Sequence, residues 1–134
     1  MKVFVYFNLN RKLFSVKALE GPDKGKVIGH TTYLWLKDVT FKVSEAGRQR
    51  VLREKRKNVH AGVVGNIDCD ISNQGSRNFG YSLLKHHSTQ VTYNPYRFAS
   101  FVNKRTWEPV RHAQYCFVSA VNGKTAISAC GVTA

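Results

Sequence analysis

Apolar and polar positions alternate from the second residue onward. Val3, Val5 and Phe7 interleave with Phe4, Tyr6 and Asn8, a period of two that predicts a strand with two apolar faces. Residues 8–12 are turn-like, and residues 13–19 predict a second strand hairpinned to the first. Gly21, Pro22, Asp23 and Gly25 mark a loop. Residues 27–36 carry the β-formers Thr31, Thr32, Tyr33 and Trp35 and predict a third strand, with a short break at Lys37 and Asp38 before residues 39–43. The period then changes. Ser44 is a candidate N-cap and Glu45 suits the positive end of a helix, which is expected to run to about Lys57. Its apolar residues are Ala46, Val51 and Leu52, a narrow stripe that can dock on a sheet while most of the circumference stays wet.

Beyond the helix, residues 59–67 predict a strand in which Gly62 and Gly65 either weaken pairing or mark close backbone approach. Residues 68–78 form a polar stretch without periodicity, and residues 79–86 fit a short helix. Strand character returns at residues 89–93, ends at Pro95, and resumes at residues 98–102. Residues 115–121 and 124–132 flank Asn122-Gly123, a dipeptide suited to the positive φ of a type I′ hairpin turn.

Two stretches recur. FNLNRKLFSV (7–16) matches YNPYRFASFV (93–102) through Phe7/Tyr93, Asn8/Asn94, Arg11/Arg97 and Val16/Val102. IGHTTYLWLKDV (28–39) matches VRHAQYCFVSAV (110–121) through His30/His112, Tyr33/Tyr115, Trp35/Phe117 and Val39/Val121. The expected fold is therefore an α+β domain, mostly antiparallel β. It has two pseudo-repeated β units (about 1–43 and about 91–134), one basic helix (44–57) and a connector to residue 90. On this pattern Tyr33, Tyr115, Trp35 and Phe117 share a strand face and are expected to pack inward. Asn8 and Asn94 would brace equivalent turns through backbone hydrogen bonds, or with Arg11 and Arg97 would form two related anion-binding corners. Residues 3–7 are also a candidate edge strand for pairing between chains.

Charge changes the picture of partners. The chain has 21 Lys and Arg against 8 Asp and Glu, a formal charge of +13, which favours polyanions without bearing on fold. Arg48, Arg50, Arg53, Lys55, Arg56 and Lys57 crowd the predicted helix, opposed there by Glu45 and Glu54. Such cations contact phosphates and give salt-dependent, sequence-blind affinity for nucleic acid or nucleotides; a solvated helix face is the alternative. A second group, Lys85, Arg97, Lys104, Arg105 and Arg111, is interleaved with Tyr93, Tyr96, Phe98 and Trp107. Rings beside cations suit stacking on unpaired bases, and equally suit a core with Arg and Lys stems lying along it. The same basic surface also fits an acidic patch on another protein.

Enzymatic signatures are sparse. His30-Thr31-Thr32 and His87-Ser88-Thr89 resemble the paired motifs of two-histidine phosphoesterases. There His30 and His87, with Thr32 and Thr89, would act as acid and base on a phosphoester. The repeat instead pairs His30 with His112. Asp68, Asp70 and Ser72 open like a calcium loop, but Phe79 occupies the place of its closing Glu. Cys69, Cys116 and Cys130 form no C-x-x-C pair and read as reduced thiols. No cofactor and no metal site is expected. The opening apolar run ends at Asn8, Asn10, Arg11 and Lys12, too early for a signal peptide, and no stretch approaches the roughly 20 apolar residues of a membrane span.

The stretches YNPYRFASFVNKRTWEPVRHAQYCFVSAVNGKTAISA (93–129) and LKDVTFKVSEAGRQRVLREKRKNVHAGVVG (36–65) resemble segments of small accessory proteins of tailed bacteriophages. The resemblance carries no assigned activity. It implies an accessory protein of the bacterial host cytoplasm that modifies host machinery or blocks a defence system, by binding rather than turnover.

Overall fold

Strand β1 (Lys2–Asn8) turns back into β2 (Leu13–Ala18), and their register places Val3 opposite Ala18, Val5 opposite Val16 and Phe7 opposite Phe14. Directly opposed residues share a sheet face, so the alternation of the sequence becomes one continuous apolar surface; Val3, Val5 and Val16 are fully buried on it. The computed structural model describes residues 1–55, 59–67, 89–121 and 124–133. The expected loop 68–78 and helix 79–86, with Cys69, Lys85, His87, Arg56, Lys57 and the Asn122-Gly123 turn, lie outside the described residues.

The third predicted strand divides at Thr32, into β3 (Val27–Thr31) and β4 (Tyr33–Val43). The break expected at Lys37 and Asp38 is a bulge inside β4. Asp38 has φ +50 and the pairing with the next strand slips between Lys37 and Thr40. An extra residue reverses the side-chain parity, so the core takes Leu34 and Leu36 before the bulge and Val39 and Phe41 after it.

Helix α1 (Glu45–Glu54) follows. Ser44 caps it, its hydroxyl accepting from Gly47 N at 3.2 Å, as expected. The helix stops three residues before Lys57, because Lys55 adopts the left-handed region (φ +55) and donates its N–H to Val51 O at 2.8 Å. That bond satisfies a terminal carbonyl and ends the helix. The remaining strands are β5 (Ala61–Asn66), β6 (Thr89–Thr92), β7 (Val102–Asn103), β8 (His112–Val121) and β9 (Lys124–Cys130).

The nine described strands form one antiparallel sheet in the order β3-β2-β1-β5-β4-β8-β9-β6-β7. With one helix of ten residues among the described residues, this is a mostly antiparallel β protein and not the α+β class expected from the sequence. The helix buries Val51 alone, too little apolar surface to form a layer of its own. From the β4/β8 seam the order runs outward as β4-β5-β1-β2-β3 on one side and β8-β9-β6-β7 on the other. The seam register is symmetric about Trp35↔Phe117, with Tyr33↔Ser119 balanced by Lys37↔Tyr115. The helix sits in the connection from β4 to β5, where β8 and β9 are joined across two residues.

Two further expectations are corrected. β1 lies between β2 and β5 and is no edge; among the described strands the edges are β3 and β7. The shared face of Tyr33, Trp35, Tyr115 and Phe117 is not the main core face, which takes Leu34, Leu36, Cys116 and Val118. Phe117 is buried against Trp35 (ring centroids 5.0 Å) and Tyr33 (6.1 Å), while Tyr115 is exposed.

Close approach explains one glycine. A Cβ on Gly62 would stand 2.5 Å from Val5 O and 2.6 Å from Phe4 Cε2, whereas one on Gly65 would meet nothing nearer than 3.1 Å. The first obstacle is backbone of the paired strand and cannot swing aside. Gly62→Ala is expected to cost about 3 kcal/mol and Gly65→Ala about 1 kcal/mol, measured by urea unfolding. Equal losses at the two positions would contradict this reading of the β1/β5 contact.

Candidate nucleic-acid interface

Four helix cations fall among the described residues, and they divide by role. Arg48 is turned inward. Its Nε donates to Pro95 O and to Phe98 O, both at 3.0 Å, and its Nη1 pairs with Glu45 Oε1 at 3.1 Å. The hydrogen bond from Gln49 Nε2 to Glu45 Oε1 (2.8 Å), together with the Arg48 charge, holds the Glu45 carboxyl below its ordinary value. Arg50, Arg53 and Lys55 are exposed and form no ion pair among the described residues, so these three cations face solvent. The inward side of the helix is Gly47, Arg48, Val51 and Leu52; Ala46, expected in the docking stripe, is exposed. Gly47 lies against His60, where a Cβ would stand 2.6 Å from the His60 Cβ.

Arg48 thereby clamps the helix to the turn at residues 94–98. Asn94 heads that turn: its carbonyl accepts from Arg97 N (3.1 Å) and Phe98 N (2.9 Å), and its Oδ1 accepts from Tyr96 N (2.9 Å). The turn presents Arg97, whose guanidinium carbon lies 5.3 Å from the Phe98 ring centroid and 5.4 Å from that of Trp107. The Phe98 and Trp107 rings are near-parallel, 19° apart with centroids 5.6 Å distant. Thr89, Gln90, Asn103, Lys104 and Arg105 line a cleft of about 360 Å³.

A larger groove of about 800 Å³ lies between the Asn8 turn and the Asn94 turn, with Val51, His60, Ala61 and Tyr93 among its lining. Leu9, Val59 and Tyr96 are exposed on its rim. His60 Nε2 and Tyr93 Oη share a hydrogen bond of 2.8 Å, and burial pushes the Tyr93 phenol up.

The remaining sequence candidates are scattered. Arg11 is exposed on the Asn8 turn, and Arg105 and Arg111 are exposed on the second half of the sheet. Asn8 braces its turn as expected, its Oδ1 accepting from Asn10 N and Arg11 N while Nδ2 donates to the buried Ser15 Oγ. Ser15 Oγ also bonds His30 Nδ1 at 3.0 Å. His30 is thus tied into the first turn on edge strand β3, and Thr89 lies on β6, far from β3 in sheet order. Thr32 is exposed at the β3–β4 break, and its carbonyl accepts from Ala120 N. Sequence reasoning missed the inward role of Arg48, the groove and the His60–Tyr93 bond, all of which join residues distant along the chain.

The family model described as Mycobacterium phage L5 gene 82 protein matches residues 1–126. The chain is 36% identical over 127 residues to the Gene 82 protein of Mycobacterium phage L5, which covers 89% of this chain and 90% of that protein. The chain belongs to this phage protein family. It is a phage protein, in accord with the resemblance carried by its sequence. No solved structure matches it. No helix among the described residues of this family member is long and apolar enough to cross a membrane.

Two outcomes test the geometry. Arg48→Ala removes bonds from a cation to half-buried carbonyls and is expected to destabilise by about 2 kcal/mol, against under about 0.5 kcal/mol for Arg50→Ala; thermal unfolding compares them. Tyr93→Phe is expected to lose about 1 kcal/mol at neutral pH. Because the folded phenol is raised, the unfolded chain ionises first as pH climbs past about 10. The wild type's advantage over Tyr93→Phe is present below that pH and is lost as pH rises through the folded value, which urea melts across the alkaline range will record.

Proposed function

We propose that this phage protein is a non-catalytic binder of nucleic acid, held through phosphate contacts. The observation that supports it best is the Arg48 clamp, which fastens the basic helix to the turn bearing Arg97. The clamp holds the helix that carries Arg50, Arg53 and Lys55 against the turn that carries Arg97, so two basic groups far apart in sequence can contribute to one surface. Arg50, Arg53 and Lys55 supply one part of it, and Arg97, Lys104 and Arg105 the other. Exposed cations without a carboxylate partner can release phosphate counterions at little desolvation cost. Arg48 is excluded from the contact set because its guanidinium is already engaged by backbone carbonyls. In the host cytoplasm such a protein would act on nucleic acid of host or defence machinery.

A second reading, an inhibitor that grips an acidic protein surface, is favoured by the apolar rim of the large groove, where Leu9, Val59 and Tyr96 lie exposed. Nuclease treatment before a pulldown from mycobacterial lysate separates the two, because a protein partner survives it.

Fluorescence anisotropy with labelled DNA and RNA across a salt series tests the first reading. The triple reversal Arg50→Glu, Arg53→Glu and Lys55→Glu is expected to weaken binding at least tenfold. It should also flatten the log–log salt slope by about 0.9 for each duplex phosphate that is no longer neutralised. Undiminished binding by a folded triple variant would remove the helix from the interface.

A further inference from the structure

The hairpin tip at residues 104–107 repeats the backbone of the tip at residues 9–12. In the first, Asn8 O accepts from Lys12 N (2.8 Å), Asn8 Oδ1 accepts from Asn10 N and Arg11 N, and Lys12 closes the loop at φ +56. In the second, Asn103 O accepts from Trp107 N (2.8 Å), Asn103 Oδ1 accepts from Arg105 N and Thr106 N, and Trp107 closes the loop at φ +65. One loop puts a lysine at the left-handed position and the other a tryptophan. A bulky aromatic is disfavoured there by about 1 kcal/mol or more, and the Lys12 tip shows that the loop does not require one. Nor does the core require it, since the indole is 50% exposed.

What Trp107 does have is a prepared backing. Phe98 lies near-parallel to it and Arg97 touches both rings, so the indole is held while half of it faces water. Lys104 and Arg105 stand on the same tip, three and two residues before it, and line a cleft, and Glu108 is the single carboxylate of the hairpin. We propose that Trp107, backed by Phe98 and Arg97, is a stacking platform for an unpaired base of single-stranded nucleic acid, with Lys104 and Arg105 meeting the adjoining phosphates. An exposed ring held against cations can take the π-face of any base without reading its edge. A duplex offers that face only at its ends, so the platform selects single strands over duplex. This inference rests on the nucleic-acid reading above and adds the strand class to it.

The test is the full-length Trp107→Lys variant, which copies the residue of the Lys12 tip, keeps the loop conformation and adds a positive charge. Labelled oligothymidine and a duplex of equal length are the probes, read by anisotropy, with thermal unfolding confirming the fold. The expected result is about a tenfold loss of single-strand affinity, with duplex affinity unchanged or raised, and partial recovery in Trp107→Phe. A second readout is quenching of the indole emission by oligothymidine in the wild type, reduced in Trp107→Lys, where Trp35 alone remains. Retention of single-strand affinity in Trp107→Lys, or an equal loss on both probes, overturns the platform while leaving phosphate binding intact. A wild type that binds neither probe overturns both.

Discussion

Among the described strands one backbone ladder joins the sheet's two halves. β4 and β8, of eleven and ten residues, pair from Tyr33↔Ser119 to Thr40↔His112. On one side of that line hang β5, β1, β2 and β3, and on the other β9, β6 and β7. The seam works because it is apolar on both faces. Leu34, Leu36, Cys116 and Val118 enter the main core, and Phe117 with Trp35 and Tyr33 forms an aromatic cluster on the reverse. Cross-strand pairs of this kind are the unit of sheet stabilisation, and among the described strands they are the ladder on which both halves depend.

The sheet also curls so that its halves meet away from the seam. Phe41 on β4 packs against Phe101 at 5.3 Å, and Phe101 against Tyr93 at 5.0 Å, although β8, β9 and β6 separate β4 from β7 in sheet order. His60 bonds Tyr93, and Arg48 reaches across to Pro95 O and Phe98 O. The helix is therefore less a structural layer than a clasp. Its inward residues tie one half to the other and its outward face is left to carry charge. The curl that buries the core is what sets the helix, the Asn94 turn and the Trp107 tip on one surface.

Strands were legible wherever period-two alternation met β-branched or aromatic residues. β1, β2, β5, β6 and β9 begin within about two residues of their expected starts, and Ser44 capped the helix through the chemistry its side chain advertises. The errors have local causes. Tyr33 and Trp35 were assigned inward because their aromatic letters recur, but the alternating Leu34 and Leu36 between them take the main core face, and the bulge at Asp38 then moves that face to Val39 and Phe41. Lys55 turns left-handed and ends a helix that charge composition alone would have extended. The Asn94 turn shares two bonds with the Asn8 tip, from the second residue on to Oδ1 and from the fourth to the carbonyl; the tip at Asn103 repeats the whole loop, with the closing residue changed from Lys to Trp.

The sequence by itself determined the local terms: which segments alternate, where a hydroxyl can cap a helix, where asparagine can head a turn, and how far positive charge exceeds negative. Side-chain volume, hydrogen-bonding capacity and charge belong to single residues and their near neighbours, so they can be read from the chain. The tertiary structure alone decided which cations face solvent. Arg48 and Arg50 are near neighbours on one helix and chemically the same, yet one is held by two carbonyls from the distant Asn94 turn and the other faces water. That division, and the meeting of Arg97, Phe98 and Trp107, depend on how a nine-stranded sheet curls. The curl is set by long-range packing that no local pattern encodes.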